Sequence, residues 1–248
     1  MQFNLLHGFT QTSESWAQPI AALKESLPAA TFWAPDMPGH GNGMTLPYPL
    51  TEGATAIAEL ASPGIWIGYS MGGRYLLHIA TQHPEVVTAL VLVSTTAGLE
   101  TSEEREERRN ADHVLADSIE RDGVSAFLKR WMALPLFSRL RPSAIDLAAR
   151  QRNSSTGLAE SLRHAGTGCQ QPLWDELASV DVPTLVVTGS EDEKFCALGA
   201  RLTQTMPQAK HVTMSEAGHA AHLENSKEFA DHVAGWVNSA GTRSPSTQ

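Results

Sequence analysis

Ile65-Trp66-Ile67-Gly68-Tyr69-Ser70-Met71-Gly72-Gly73 decides the fold: an apolar run stops on a G-x-S-x-G turn and passes into Tyr75 to Ala80, a stretch with helical apolar spacing. A serine on so tight a strand-to-helix turn must accept unusual backbone torsions. The small Gly68 and Gly72 relieve the crowding, so its hydroxyl can project into a pocket. The helix that begins there offers backbone N–H groups to a developing negative charge. A chance Gly/Ser turn is the plainer alternative, but the strand before it and the helix after it are the context that the chemistry needs.

Working outward, short β-branched or aromatic runs recur at Phe3 to Leu6, Thr31 to Ala34, Ile65 to Ile67, Ala89 to Val93, Thr184 to Thr188 and His211 to Met214, mostly separated by helical spacing. Leu90-Val91-Leu92-Val93 and Leu185-Val186-Val187 are apolar on both faces, as in strands covered by helices on both sides. The expectation is an α/β fold with a mostly parallel sheet. From Leu99 to about Trp174 the rhythm breaks into a strand-free segment rich in Glu, Arg, Ala and Leu. It reads as a helical insertion that starts at Thr101-Ser102-Glu103-Glu104 and is punctuated by Pro135, Pro142 and Gly157. A final helix is expected over Lys227 to Asn238. The organisation is then a core over 1–98 and 176–240, a helical cap over 99–175, and a Ser/Thr/Pro-rich tail over 241–248 expected to be disordered.

The 248 residues suit one body with an insertion, and 42% hydrophobic with 18% charged residues excludes disordered, collagenous and coiled-coil classes. The longest uncharged stretch of apolar character, Leu60 to Gly73, has 14 residues and is too short and polar to span a bilayer. No basic, apolar leader precedes His7-Gly8, so a cytoplasmic location is expected. Cys169 and Cys196 are too few and too far apart for a disulfide framework. A net charge of −9 opposes binding to nucleic acid or an anionic membrane. Yet residues 99–175 hold 11 of the 18 Lys+Arg and 12 of the 27 Asp+Glu, a nearly neutral and Arg-dense middle in an acidic chain. That asymmetry suggests a local anion-binding face.

Serine alone is a poor nucleophile or base; it needs a histidine, and the histidine a carboxylate that fixes its tautomer. Gly189-Ser190-Glu191-Asp192 and Ala217-Gly218-His219 each follow a late strand, which makes Ser70, Asp192 and His219 the candidate triad. Asp175 and Asp181 precede the strand; Glu191 and Glu193 are closer rivals, more simply read as solvated charges. His222 is the rival to His219. His7 and His40 sit in Gly-rich turns and are read as loop braces, and the Pro35 to Gly41 turn as structural first and pocket rim second. The amides of Phe9, after His7-Gly8, and of Met71 are the candidate oxyanion hole. No phosphate-binding loop, dinucleotide fingerprint or metal-ligand spacing occurs, so no cofactor and no metal are expected.

With His7-Gly8-Phe9, Pro38-Gly39-His40-Gly41, the Ser70 turn, Asp192 and Gly218-His219 in order, the chain resembles the α/β-hydrolase superfamily over nearly its whole length. Arg74, Glu104 to Arg109, Trp131 before Leu134 to Phe137, Arg152-Asn153-Ser154-Ser155-Thr156-Gly157 and Gly189 to Phe195 resemble a narrower family. This is the 2-succinyl-6-hydroxy-2,4-cyclohexadiene-1-carboxylate synthases of menaquinone biosynthesis, the MenH family. The resemblance implies elimination of pyruvate from a small multi-carboxylate substrate, with Arg74, Arg108 and Arg152 as carboxylate clamps and Tyr69 and Trp131 as pocket walls. Arginine suits the task, because its planar fork binds carboxylates through two hydrogen bonds. Arg105 and Arg109, interleaved with glutamates, are read as a solvated helix face. The other readings are a carboxylesterase or carbon–carbon hydrolase, which needs no arginine cluster, and a ligand-binding receptor on the same fold. Only six residues precede His7, so an N-terminally shortened sheet with an uncovered edge strand is expected. Oligomeric state is left open.

Overall fold

The computed structural model describes residues 1–43 and 49–240; the expected disorder of 241–248 lies outside the described residues. Six parallel strands form one sheet: β1 (Gln2–Leu6), β2 (Thr31–Trp33), β3 (Gly64–Tyr69), β4 (Val87–Val93), β5 (Thr184–Gly189) and β6 (Ala209–Met214), in the order β2-β1-β3-β4-β5-β6. The six expected strands are all present, and the sheet is wholly parallel. Nine α-helices accompany them among the described residues, besides short 3-10 turns: α1 (Ala17–Ser26), α2 (Leu50–Leu60), α3 (Met71–Gln82), α4 (Ser102–Trp131), α5 (Ala144–Gln151), α6 (Ser155–Ala165), α7 (Glu193–Thr205), α8 (Ala221–Glu224) and α9 (Ser226–Ala240).

The two-sided strands find partners on both faces. Leu6, Trp66, Leu90, Leu92 and Val186 pack with α2, α3 and α7, while Phe3, Leu5, Ile65, Ile67, Val91 and Val187 pack with α1 and α9 on the other side. Alternate residues of each strand thus enter different cores, which is why no polar alternation marks these strands. β2 closes one edge with Thr31 exposed and Phe32 and Trp33 half-buried.

The insertion between β4 and β5 carries α4, α5 and α6. Thr101 caps α4 through a reciprocal box: its hydroxyl accepts from the Glu104 amide at 3.1 Å, and the Glu104 carboxylate accepts from the Thr101 amide at 3.1 Å. Two glycine roles differ from expectation. The break in the long helix is at Gly123, with φ 81° and ψ 163°, a conformation only glycine adopts readily. Gly157 instead lies inside the first turn of α6, where a Cβ would meet the Gly39 carbonyl at 2.5 Å. That contact, with the Asn153 side chain bonded to the Gly41 amide at 2.7 Å and the Thr10 carbonyl at 2.8 Å, seats the insertion on the loops after β1 and β2. A small core of Ala116, Ile119, Phe127, Leu158, Ala159 and Leu162 holds its helices together and reaches Phe9.

The fold's tightest joint is where α3 meets β1. A Cβ on Gly72 would lie 2.1 Å from the Leu6 carbonyl oxygen, so α3 could not start where it does with any larger residue. Gly72→Ala is expected to lower stability by about 1–3 kcal/mol or more, as overpacking does, with the loss read in urea unfolding; unchanged stability would mean the joint can open without cost.

Candidate active site

Ser70 bridges β3 and α3 at φ 50° and ψ −108°, a strained conformation for a residue with a Cβ. Its amide donates to the Val93 carbonyl at 2.9 Å, and its own carbonyl accepts from the Thr95 hydroxyl at 2.8 Å, so β4 holds the turn from both sides. The hydroxyl stays partly exposed. His219, in the turn after β6, brings Nε2 to 3.2 Å from Ser70 Oγ, while its Nδ1 lies 2.7 Å from Asp192 Oδ2. With a carboxylate as acceptor, Nδ1 carries the proton and Nε2 is free to receive one from Ser70. Asp192 is buried at the start of α7, and its second oxygen accepts from the Phe195 amide at 3.3 Å. One carboxylate therefore caps a helix and orients the imidazole. Glu191 is drawn off to Arg139 at the surface, and His222 is wholly buried behind Tyr69, with ring centroids 4.3 Å apart.

The amides of Phe9 and Met71 donate no hydrogen bond among the described residues. Their loop is braced by histidines. The His7 ring accepts from the Met37 amide at 2.9 Å and donates to the Gly8 carbonyl; the His40 ring accepts from the Thr10 amide at 3.2 Å and donates to the Pro38 carbonyl. The Tyr69 ring fills the space a Gly8 side chain would need, 2.6 Å from its Cβ position, and burial pushes the Tyr69 phenol up. Among the described residues no cluster of three or more His, Cys, Asp or Glu side chains could hold a metal, and no helix is long and apolar enough to cross a membrane.

Residues 5–232 match the Alpha/beta hydrolase family. The chain belongs to the alpha/beta hydrolase family. A Bacillus subtilis (strain 168) protein described as a putative 2-succinyl-6-hydroxy-2,4-cyclohexadiene-1-carboxylate synthase is 39% identical over 250 residues, spanning 94% of this chain and 89% of that protein. The synthase of that name from Enterobacter sp. (strain 638) is 30% identical over 240 residues, 92% of this chain and 88% of that protein. The structure of MenH from S. aureus superposes with a TM-score of 0.87 at 29% identity, covering 96% of this chain and 93% of that one.

Within this alpha/beta hydrolase, Arg74 on α3 is 7% exposed and its Nη1 is buried with no partner. Burial, then the like charge of Arg108, lower its guanidinium to about 10, still charged at neutral pH. Arg108 on α4 binds Asp112 through Nε at 2.9 Å and otherwise lines a cavity of about 360 Å³. Trp131, at the end of α4, stacks on Phe127, meets Phe137 at a tilt and Phe9 edge-on at 5.4 Å; its Nε1 is buried without a partner. Phe137 and Phe195 flank the His219 ring at 6.1 and 4.4 Å.

Arg152 does not join the others. It caps the C-terminus of α5, half-exposed, and its guanidinium is taken by Glu14 at the surface. Arg150, two residues earlier and therefore on the opposite side of the helix, is the buried one. It donates to Asp146 Oδ2 at 2.6 Å and to the Thr10 hydroxyl at 2.7 Å, and its charge adds a smaller push to the burial that lowers His7, His40 and His222. The available signal was Asp146, which pairs with Arg150 at i,i+4 spacing. Phe137 and Phe195, the aromatics beside His219, also went unassigned in the sequence reading.

Burial holds His7 at about 4 and His40 at about 3 against an ordinary 6.5. Between pH 6.5 and 4 the unfolded chain therefore takes up protons at these positions that the folded chain refuses, so stability falls as pH falls. Each histidine is expected to contribute about 1.4 kcal/mol per pH unit. Urea unfolding across that window should show the slope, and His40→Gln, which keeps an acceptor for Thr10, should flatten it by about that amount; an unaltered slope would count against the neutral-brace assignment.

Proposed function

We propose that this chain eliminates pyruvate from 2-succinyl-5-enolpyruvyl-6-hydroxy-3-cyclohexene-1-carboxylate, yielding 2-succinyl-6-hydroxy-2,4-cyclohexadiene-1-carboxylate. The observation that carries the reading is Arg74: a buried guanidinium with an unpartnered Nη1 on the helix that starts at Ser70, where the like charge of Arg108 acts on it more strongly than any carboxylate does. Ester hydrolysis has no use for that arrangement, whereas a substrate with several carboxylates supplies its missing acceptors. The synthase relatives from B. subtilis and Enterobacter support the same substrate.

In this reading Ser70 is a base. His219 Nε2 takes the hydroxyl proton as Ser70 Oγ removes the ring proton at C2, which is acidified by the adjacent succinyl ketone. The electron pair of that C–H bond forms C2=C3, the C3=C4 pair moves to C4=C5, and the C5–O bond breaks. Enolpyruvate departs with that electron pair, accepts the proton from His219 and tautomerises to pyruvate. As C2 loses its proton, charge builds on the ketone oxygen, and the Phe9 and Met71 amides are the donors for it. Asp192 stabilises the imidazolium without taking its proton. Tyr69 and Trp131 wall the ring, and Arg74, Arg108 and Arg150 supply the cationic side, with Arg150 in the place that the sequence resemblance gave to Arg152.

Supplying the cyclohexene acid and following pyruvate tests the reading. Ser70→Ala should cost about 10⁴- to 10⁶-fold in kcat, with little further loss on adding His219→Ala, because the residues act as a unit. A covalent Ser70 adduct trapped during turnover of this substrate would overturn the base role in favour of a hydrolase. Arg74→Ala and Arg150→Ala should each lower kcat/KM for the anionic substrate by roughly 1.5–3 kcal/mol, or about 10- to 150-fold, and Arg152→Ala by less than about threefold. Equal losses at Arg150 and Arg152, or equal losses on a small neutral ester, would show that these side chains hold the insertion in place and do not read the substrate.

A further inference from the structure

A cavity of about 360 Å³ opens between the first turns of the insertion and the start of α7. Its walls include Thr96, Gly98, Arg108, Trp174, Lys194 and Phe195. Phe195 is the partition: one side lines this cavity, and its ring lies 4.4 Å from that of His219. The other charges on the wall are already engaged. Arg201 stacks over Trp174 at 3.8 Å and pairs with Glu100, and the Glu104 carboxylate is bound by the Thr101 amide and hydroxyl. Two cations are left over. Arg108 uses only Nε, on Asp112, and Lys194 makes no ion pair among the described residues, its Nζ lying 5.7 Å from the Phe195 ring centroid.

Resting on the synthase reading, we propose that this cavity is the subsite for the succinyl carboxylate, with Lys194 as a specificity-determining residue beside Arg108. The ring and enolpyruvyl carboxylates adjoin the bonds that change, so their partners belong near Ser70, where Arg74 is. The succinyl carboxylate is the anionic group farthest from those bonds, at the end of a flexible arm. It needs a cationic recess set apart from the base but next to it, and the Phe195 partition separates the two. Lys194 is exposed, so its attraction is open to salt.

The test compares kcat and KM of Lys194→Met and Lys194→Arg with those of the unaltered chain, on the full substrate and on its succinyl methyl ester. Lys194→Met should raise KM for the full substrate roughly tenfold while leaving kcat within about twofold. It should leave the ester unaffected, and Lys194→Arg should recover most of the loss. The difference should shrink at high salt. An equal change on both substrates, or none, overturns the assignment while the synthase reading stands. If no pyruvate forms at all, the synthase reading fails, and the cavity is then judged by titrating succinate while following the Trp174 indole and Phe195 amide by NMR. Shifts that are lost in Lys194→Met support the carboxylate subsite, and absent shifts or shifts retained in Lys194→Met overturn it.

Discussion

The left-handed backbone of Ser70 is the constraint on which the rest of the site depends. A residue with a Cβ at φ 50° persists only where its surroundings overdetermine it. Here three strands do so. β4 supplies the Val93 carbonyl that fixes the Ser70 amide and, just beyond its end, the Thr95 hydroxyl that fixes the Ser70 carbonyl; β1 presents the Leu6 carbonyl against which Gly72 sits; β3 delivers the turn. Gly73 lies against Thr95, where a Cβ would come within 2.6 Å. The serine is therefore aimed by the register of the central sheet, and a shift of any one strand would disturb it.

Asp192 extends the same economy to the other end of the Ser70–His219–Asp192 hydrogen-bonded chain. A carboxylate at a helix start is stabilised by the helix dipole and by the amide it caps. At Asp192 one oxygen does that for α7 and the other holds the His219 Nδ1–H, so the position of the imidazole is tied to the position of the helix. Phe195, whose amide is the one capped, then packs its ring on His219. The imidazole is fixed by a charge on one edge and an aromatic face on another.

Much of this was legible in the sequence because it depends on chain order. Strands that are apolar on both faces, a glycine-flanked serine between a strand and a helix, and an acid and a histidine after the last two strands locate the fold and the Ser70–His219–Asp192 chain without any knowledge of side-chain direction. The insertion is different, because helical faces there are set by packing between elements whose relative placement the sequence does not carry. Arg150 and Arg152 stand two residues apart, about 200° around a helix, so one had to face inward and the other outward. The motif that runs from Arg152 to Gly157 drew the carboxylate-clamp expectation to Arg152, whose guanidinium pairs with Glu14 at the surface. Gly157 shows the same limit: it looked like a helix breaker, but its lack of a side chain serves the approach of the Gly39 carbonyl, a contact between segments more than a hundred residues apart. The Gly123 break was equally hidden, since a glycine inside a helical pattern is more often merely tolerated.

The charge pattern follows from the same division between outside and inside. At the surface of the insertion, arginines are matched with carboxylates: Arg163 with Asp117, Glu120 and Glu160, Arg152 with Glu14, Arg121 and Arg130 with Asp122. Such exposed pairs are worth little individually and need no ligand. Beneath the insertion the matching is incomplete. Arg74 has an unpartnered nitrogen, Arg108 keeps most of its donors, and Trp131 Nε1 has no acceptor. Leaving the buried Arg74 and Trp131 donors unmade costs roughly 1–3 kcal/mol each, a penalty that packing elsewhere in the fold has to offset. Asp112 and Asp146 do not remove it: each engages one arginine, and the Asp112 Oδ2 is itself unpartnered. An acceptor from outside the chain that satisfies several of these donors at once relieves the penalty on binding. The arginine-dense middle of an acidic chain thus balances most of its own charges at its surface, and the donors left unmatched are Arg74 Nη1 on α3, the free nitrogens of the partly exposed Arg108 on α4, and Trp131 Nε1 at the end of α4.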